Sequence, residues 1–223
     1  MKDITDRLKK SAFFADMNEE QIKDCLRSAE ASIVSYAKED IIFHQHDEAR
    51  HIMVLLEGSI AVCGDFANGK RRIVAVFDHP GELFGEVYLF LKNRPYEHYA
   101  LALTSVKILR INKQFLYQKG EYQRILTMNM LSILSYKNYY LNTRVRVLSC
   151  SGLRQKLAHI FLHSMDEKGK VLLNMKREEF ADWLNTARPS LSRELMKMQE
   201  EGLIKIIKKD IYVRDEEKLG AFL

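Results

Sequence analysis

The side chains whose type and spacing indicate a chemical role most clearly are two arginines near the C-terminal end of the chain, Arg188 and Arg193. They lie in a segment whose apolar residues recur at helical spacing, so one rigid element would present both guanidinium groups. A guanidinium carries a fixed fork of donors that matches the acceptors of guanine in the major groove and the oxygens of a phosphate. The pair therefore predicts contact with double-stranded DNA.

The element that must position these arginines is a helix-turn-helix. Phe180, Ala181 and Leu184 predict a short helix over about residues 177–184, which the Asn-Thr pair at 185–186 interrupts. A second helical pattern follows at once. Two short helices joined by a tight turn form this motif.

Pro189 restricts where the second helix begins. Proline has no backbone N–H, and a helix tolerates it in the first turn, where that donor has no partner. Arg188 and Arg193 then project from the N-terminal end, which a recognition helix inserts into the major groove. The DNA-binding candidates are Arg188, Pro189, Ser190, Ser192, Arg193 and Lys197 on this helix, with Lys176, Lys208 and Lys209 beside it.

The segment after this helix favours DNA binding over the alternative that both arginines are ordinary solvated surface charges. Residues 206–207 and 211–213 are apolar or aromatic, and Lys208-Lys209-Asp210 separates them. This pattern predicts a hairpin with basic residues at its tip. A hairpin beside a recognition helix is the wing of a winged helix.

The segment RPSLSRELMKMQEEGLI, residues 188–204, resembles the recognition helix of the cyclic-AMP receptor and fumarate-nitrate reduction (Crp/Fnr) family of bacterial transcription regulators. That helix carries an Arg, a Glu, and a Ser or Gly followed by a second Arg. The matching positions are Arg188, Pro189, Ser192 and Arg193.

Pro189 is the departure from this pattern. Its ring offers an apolar face, suited to a thymine methyl group, where the family's Glu accepts a hydrogen bond from cytosine. The resemblance implies a homodimer on a two-fold symmetric DNA site, with RNA polymerase as a further partner if the protein is an activator.

Residues 32–112 show a pattern of short strands. Runs of β-branched and aromatic residues between turn residues predict a β-roll or jelly roll. The predicted strands are 33–36, 41–43, 52–56, 59–63, 72–77 and 100–111, and helices precede them over residues 1–30 with Asn18 as an N-cap.

Residues 37–62, AKEDIIFHQHDEARHIMVLLEGSIAV, resemble the front half of the cyclic-nucleotide-binding domain. The family usually has Gly where Glu39 and His46 stand, whereas Gly58 is retained. Glycine is used where φ must be positive, so it is open whether those two turns keep the family's tight geometry.

Residues 80–102 resemble the phosphate-binding cassette of the family, in which a Gly-Glu pair precedes an Arg and a small hydroxyl residue. Gly85 and Glu86 match the pair. Tyr96 and Glu97 stand at the Arg and hydroxyl positions, and Arg94 lies two residues early. A phosphate needs a cation or N–H groups there and Glu97 would repel it, so we expect an effector other than cyclic AMP.

A second departure points the same way. Nucleotide-binding members place a Thr-Ser pair of the long helix against the purine, and Leu141 and Asn142 occupy those positions here. The effector-binding candidates are Gly85, Glu86, Arg94, Tyr96, Glu97, Leu141 and Asn142.

The effector class is open between haem and a small organic anion. The potential haem ligands are His44, His46, His51, His79 and His98, although a His in a surface turn is most often only a polar residue. An organic anion would suit a pocket lined by Tyr96, Tyr99 and the basic long helix.

Residues 114–148 follow a helical period and carry two apolar stripes. The resemblance implies that one stripe packs on the chain's own β-roll and the other on the same helix of a second subunit. The dimer-seam candidates repeat every seven residues, and Asn138 would set their register. They are Leu131, Leu134, Asn138, Leu141, Val145 and Leu148.

The expected fold class is α+β. It combines a cyclic-nucleotide-binding-like β-roll over residues 1–113, a long dimerisation helix over 114–148 and a winged helix-turn-helix over 149–223, with a break at 149–152.

Composition excludes several classes of protein. No segment approaches the roughly 18 apolar residues of a membrane span, and residues 1–10 lack a secretory signal, so we expect a cytoplasmic protein. Cys25, Cys63 and Cys150 are scattered and odd in number, which favours neither disulfides nor a metal site.

Two alternatives come from other functional classes. The helix-turn-helix could contact a protein partner instead of DNA. A cupin-like metal enzyme would need clustered ligands, and His44 and His46 give HxH spacing only once, so we expect no enzyme. Residues 64–71, GDFANGKR, approach a phosphate-loop spacing but lack its Ser or Thr and lie between strands, which predicts a hairpin loop.

Overall fold

The computed structural model describes residues 2–65, 71–173 and 175–223 and contains two compact units, residues 1–136 and 137–223. Most of the predicted hairpin loop at 64–71 lies outside the described residues. The three-part domain division expected above stays a prediction.

The first unit opens with two helices, α1 (Lys2–Leu8) and α2 (Glu19–Ser28). Asn18 caps α2 as predicted: its side chain accepts a hydrogen bond from the Gln21 N–H at 2.9 Å, and the Gln21 side chain accepts one from the Asn18 N–H at 2.9 Å. This reciprocal capping satisfies two donors that have no partner within the helix.

Two antiparallel four-stranded sheets form the β-sandwich of the first unit, ordered β1-β8-β3-β6 and β2-β7-β4-β5. Aliphatic and aromatic side chains of both sheets and the N-terminal helices fill one core. The strands are β1 (Ser32–Tyr36), β2 (Ile41–Phe43), β3 (His51–Glu57), β4 (Ile60–Asp65), β5 (Arg71–Phe77), β6 (Leu83–Phe84), β7 (Tyr99–Ala102) and β8 (Val106–Asn112).

The single strand predicted over residues 100–111 was wrong, because a turn at Leu103–Ser105 divides it into β7 and β8. The Ser59 N–H donates to Thr104 Oγ1 at 3.0 Å, and a Cβ on Gly58 would lie 2.3 Å from the Ser105 carbonyl oxygen. This turn therefore packs against a distant glycine, a contact that local residue pattern does not reveal.

Both turns without the family's glycines keep a left-handed conformation. Glu39 has φ +75° and His46 has φ +73°. The Glu39 N–H donates to the Ala102 carbonyl and the His46 N–H to the Tyr96 carbonyl, each at 2.8 Å. The surrounding hydrogen bonds hold the tight geometry despite the side chains.

The long helix α3 spans Glu121–Leu148 and begins later than predicted. Residues Lys113–Tyr117 form a 3₁₀ helix instead, and the Asn112 side chain caps it by accepting from the Gln114 N–H at 2.9 Å. Leu126 and Met130 are buried in the core of the first unit, and Val147 is buried in that of the second.

The second unit is a winged helix-turn-helix. Its elements after α3 are α4 (Leu153–Ser164), α5 (Arg177–Trp183), α6 (Arg188–Glu200), the hairpin β9 (Ile204–Ile207) and β10 (Asp210–Val213), and α7 (Glu216–Gly220). In the part of the chain that the structure describes, no helix is both long and apolar enough to span a membrane.

Candidate nucleic-acid interface and effector site

The predicted position of Pro189 is confirmed, because it lies in the first turn of α6, directly after Arg188. Asn185 adopts φ +53° in the turn that precedes this helix. Leu191, Leu195 and Met198 are buried against the rest of the second unit. This anchoring fixes which face of α6 meets solvent.

The exposed face of α6 carries most of the predicted DNA-binding residues. Arg188, Pro189, Ser192, Arg193 and Lys197 are exposed and Ser190 is half-buried. Arg188 forms an ion pair with Glu178 at 2.9 Å, and Arg193 Nε donates to the Pro189 carbonyl at 3.4 Å. Both pairs are exposed, so each contributes little and exchanges readily for a stronger acceptor.

The remaining basic candidates flank the start of α5 and the tip of the hairpin. Lys176, Lys208 and Lys209 are all exposed. A cavity of about 550 Å³ is lined by Lys176, Arg188 and Lys209 together with Arg177. The structure thus brings candidates from three elements around one cavity.

Arg177 is a residue that sequence reasoning missed. It is half-buried, its Nη1 is buried without a hydrogen-bond partner, and burial lowers its pKa. The sequence feature that could have identified Arg177 is its position next to Lys176 at the start of α5.

Tyr96 fills the centre of the predicted effector site. It is 3% exposed, its ring stacks on Phe43 with centroids 3.8 Å apart, and Tyr88 packs edge-on at 5.4 Å. A Cβ on Gly85 would lie 3.2 Å from the Tyr96 hydroxyl. Burial, and then the carboxylate of the buried Glu86, raise the pKa of this hydroxyl, so it is neutral near pH 7.

The remaining effector candidates are exposed. Arg94 and Glu97 are exposed, and Arg94 lines a separate cavity of about 690 Å³ with Lys92 and Lys113. Leu141 and Asn142 are exposed on the part of α3 that belongs to the second unit.

The histidines are scattered over the first unit. His44, His46 and His79 are exposed, and His51 and His98 are half-buried. Tyr99 lines a shallow cavity with His44 and His46. Among the described residues, the ligand atoms of Asp78, His79 and Glu82 lie close enough together to hold a metal ion, and this surface group includes neither histidine of the HxH pair.

The two stripes of α3 differ in exposure. Leu131, Leu141, Val145 and Leu148 are exposed, as is Asn138, whereas Leu134 packs partly against the first unit's core. The neighbouring stripe supplies Leu126, Met130 and Val147 to the two cores. The stripe chosen as the dimer seam is therefore the one that the chain itself leaves largely uncovered.

Comparison with known proteins gives one family match in the N-terminal part of the chain and another in the C-terminal part. A cyclic nucleotide-binding domain model matches residues 33–121, and a Crp-like helix-turn-helix domain model matches residues 155–222. The chain is 23% identical to the cyclic AMP receptor protein of Thermus thermophilus over 78% of this chain and 80% of that protein. It is 26% identical to transcriptional regulator LdrP of the same species over 81% and 91%.

Solved structures show the same fold. The catabolite activator protein of Thermus thermophilus matches with a TM-score of 0.55 and 21% identity over 95% of this chain and 98% of that chain. The N-terminal domain of a transcriptional regulator from Streptomyces coelicolor matches with a TM-score of 0.50 and 28% identity over 60% and 94%.

Proposed function

Because the chain belongs to the Crp/Fnr family of transcription regulators and joins a cyclic-nucleotide-binding-type domain to a helix-turn-helix DNA-binding domain, we propose that it binds DNA as a homodimer. In this proposal α6 of each subunit reads one half of a two-fold symmetric DNA site. The observation that carries this proposal is the face of α6. Three buried apolar residues anchor the helix while its N-terminal half exposes Arg188, Pro189 and Arg193.

Arg193 is the guanine reader in this proposal. Its exposed guanidinium can exchange the weak contacts with the Pro189 carbonyl and Ser190 for the O6 and N7 acceptors of guanine. Arg188 contacts a second base or a phosphate. Pro189 presents its ring to a thymine methyl group.

The basic residues at and beside the cavity of about 550 Å³ position the protein on the phosphate backbone. Lys176, Arg177, Lys208 and Lys209 come from α5 and the wing, and such contacts fix register without reading sequence. The protein then acts where the DNA is, in the cytoplasm. An activator also contacts RNA polymerase.

The experiment is a titration of fluorescent promoter DNA at fixed salt. We expect Arg193→Ala to lose about 1–3 kcal/mol of binding free energy, the value of one bidentate base contact. Lys218→Ala is the matched control, since Lys218 is exposed on α7 and pairs with Asp215. Equal affinities of Arg193→Ala and the wild-type protein would remove the reading role.

The effector is not a cyclic nucleotide in this proposal. Tyr96 fills the position at which the family holds a cation, and its neutral hydroxyl supplies no charge for the phosphate. We expect calorimetry to detect no tight binding of cyclic AMP to the full chain. Tight binding would show that Tyr96 and Glu97 do not exclude it.

A further inference from the structure

Beside Tyr96 lies a cavity of about 400 Å³ that the proposed function leaves unassigned. Ile42, Phe43 and Met53 supply apolar wall, and Arg110 and His51 lie on the polar side. Asp47, Glu48 and Arg50 complete the polar part of the lining. The volume suits a small molecule.

Arg110 is the group that needs a partner. Its Nε is buried and has no hydrogen-bond acceptor, while its Nη2 lies 2.9 Å from His51 Nδ1. Burying an N–H without an acceptor is unfavourable, so such atoms are rare in proteins. Among the residues that the structure describes, no carboxylate pairs with this guanidinium.

The backbone holds Arg110 firmly. It lies on β8, an inner strand of its sheet, opposite Ser32 of β1 and Met53 of β3. The strand fixes the backbone of Arg110 and the contact with His51 orients its guanidinium, which favours binding of a ligand of defined shape.

The acidic residues at the cavity are already engaged. Asp47 accepts a hydrogen bond from the His44 N–H at 2.8 Å, and Glu48 pairs with Arg50 at 2.9 Å. Neither carboxylate reaches Arg110. Arg110 is therefore the arginine of this lining that has no carboxylate partner among the described residues.

We propose that this cavity binds a small monocarboxylate with an apolar body, whose carboxylate accepts hydrogen bonds from the Arg110 guanidinium and whose body packs on Phe43 and Met53. Calling this molecule the effector rests on the proposed function, whereas its binding does not. The two acidic residues at the rim disfavour a more highly charged anion.

The test is calorimetry of the full chain with benzoate, which has one carboxylate and an apolar ring. We expect one saturable site per chain, and at least a tenfold weaker site in Arg110→Gln. Lys107→Gln is the matched control, because Lys107 is exposed on the same strand and pairs with Glu57. Its affinity for benzoate should equal that of the wild type.

Thermal unfolding of Arg110→Gln should stay close to that of the wild type, since the substitution removes a partnerless Nε–H and a single contact, that of Nη2 with His51. Absence of benzoate binding, or equal binding by Arg110→Gln, would overturn the proposal. Binding of promoter DNA without benzoate should be the same for both proteins. Failure of the carboxylate site therefore stays distinct from failure of DNA reading.

Discussion

At the scale of single residues, the departures from the family pattern are informative. Tyr96 is buried and stacked where the family has a cation, and Pro189 offers no hydrogen-bond acceptor to a base where the family has a carboxylate. Both substitutions change the chemistry of a site while leaving the local backbone as the resemblance implies. We therefore expect altered specificity at both sites on an unchanged fold.

The two left-handed turn residues lead to a stability prediction. A non-glycine residue at positive φ destabilises the folded state by about 1–2 kcal/mol. Glycine removes this strain, but its larger unfolded-state entropy lowers the free energy of unfolding by about 0.5–1 kcal/mol. We therefore expect Glu39→Gly and His46→Gly each to raise the free energy of unfolding by about 0.5–1 kcal/mol.

Chemical denaturation of the variants measures this difference. Lys38→Gly serves as the control, because Lys38 is not among the positive-φ residues and glycine there should destabilise. Destabilisation by both turn variants would mean that neither turn stores strain.

At the scale of elements, α3 and α6 each divide their residues between a buried face and an exposed one. For α3 the exposed stripe repeats every seven residues, which is the pattern of a helix-helix seam. Leu141 and Val145 are 56% and 62% exposed, a large apolar surface for an unpartnered helix. A second copy of α3 is the partner that we propose.

Sedimentation tests this seam. We expect the wild type to sediment at twice the chain mass of 26.1 kDa and a Leu141→Asp, Val145→Asp double variant at the chain mass, because two facing pairs of carboxylates repel in an apolar seam. Tyr139→Asp is the control, an exposed residue of the same helix outside the stripe. A dimeric double variant would place the seam elsewhere.

Elements were predictable where local signals decide them. The Asn18 cap, the first-turn proline of α6 and the basic wing tip follow from residues near one another in sequence. The turn that separates β7 from β8 depends on Gly58, and the late start of α3 follows from the capped 3₁₀ helix before it. The two-residue strand β6 is too short to leave a periodic signal.

The sites show the same limit. The exposed face of α6 was predictable because helical spacing sorts its residues, whereas the pairing of Arg110 with His51 joins residues far apart in sequence. Adjacent antiparallel strands create that pairing, and single-sequence patterns do not specify which strands are neighbours.

At the scale of the whole molecule, charge is distributed unevenly along the chain. Residues 107–148 hold eight basic residues and one acidic residue, while residues 1–106 are net acidic. An effector controls such a protein only through unequal affinity for its DNA-binding and non-binding states. The carboxylate site and the α6 surface are the two ends of that linkage in our account.

The most direct test of the central claim is selection of binding sites from random duplex DNA by the full chain. We predict an inverted repeat with half-sites about one helical turn apart, guanine required at the Arg193 contact and relaxed choice at the base pair that faces Pro189. Enrichment of no repeated half-site would contradict the claim that a dimer reads DNA through α6. A strict requirement for cytosine or its paired guanine opposite Pro189 would contradict the role given to that residue.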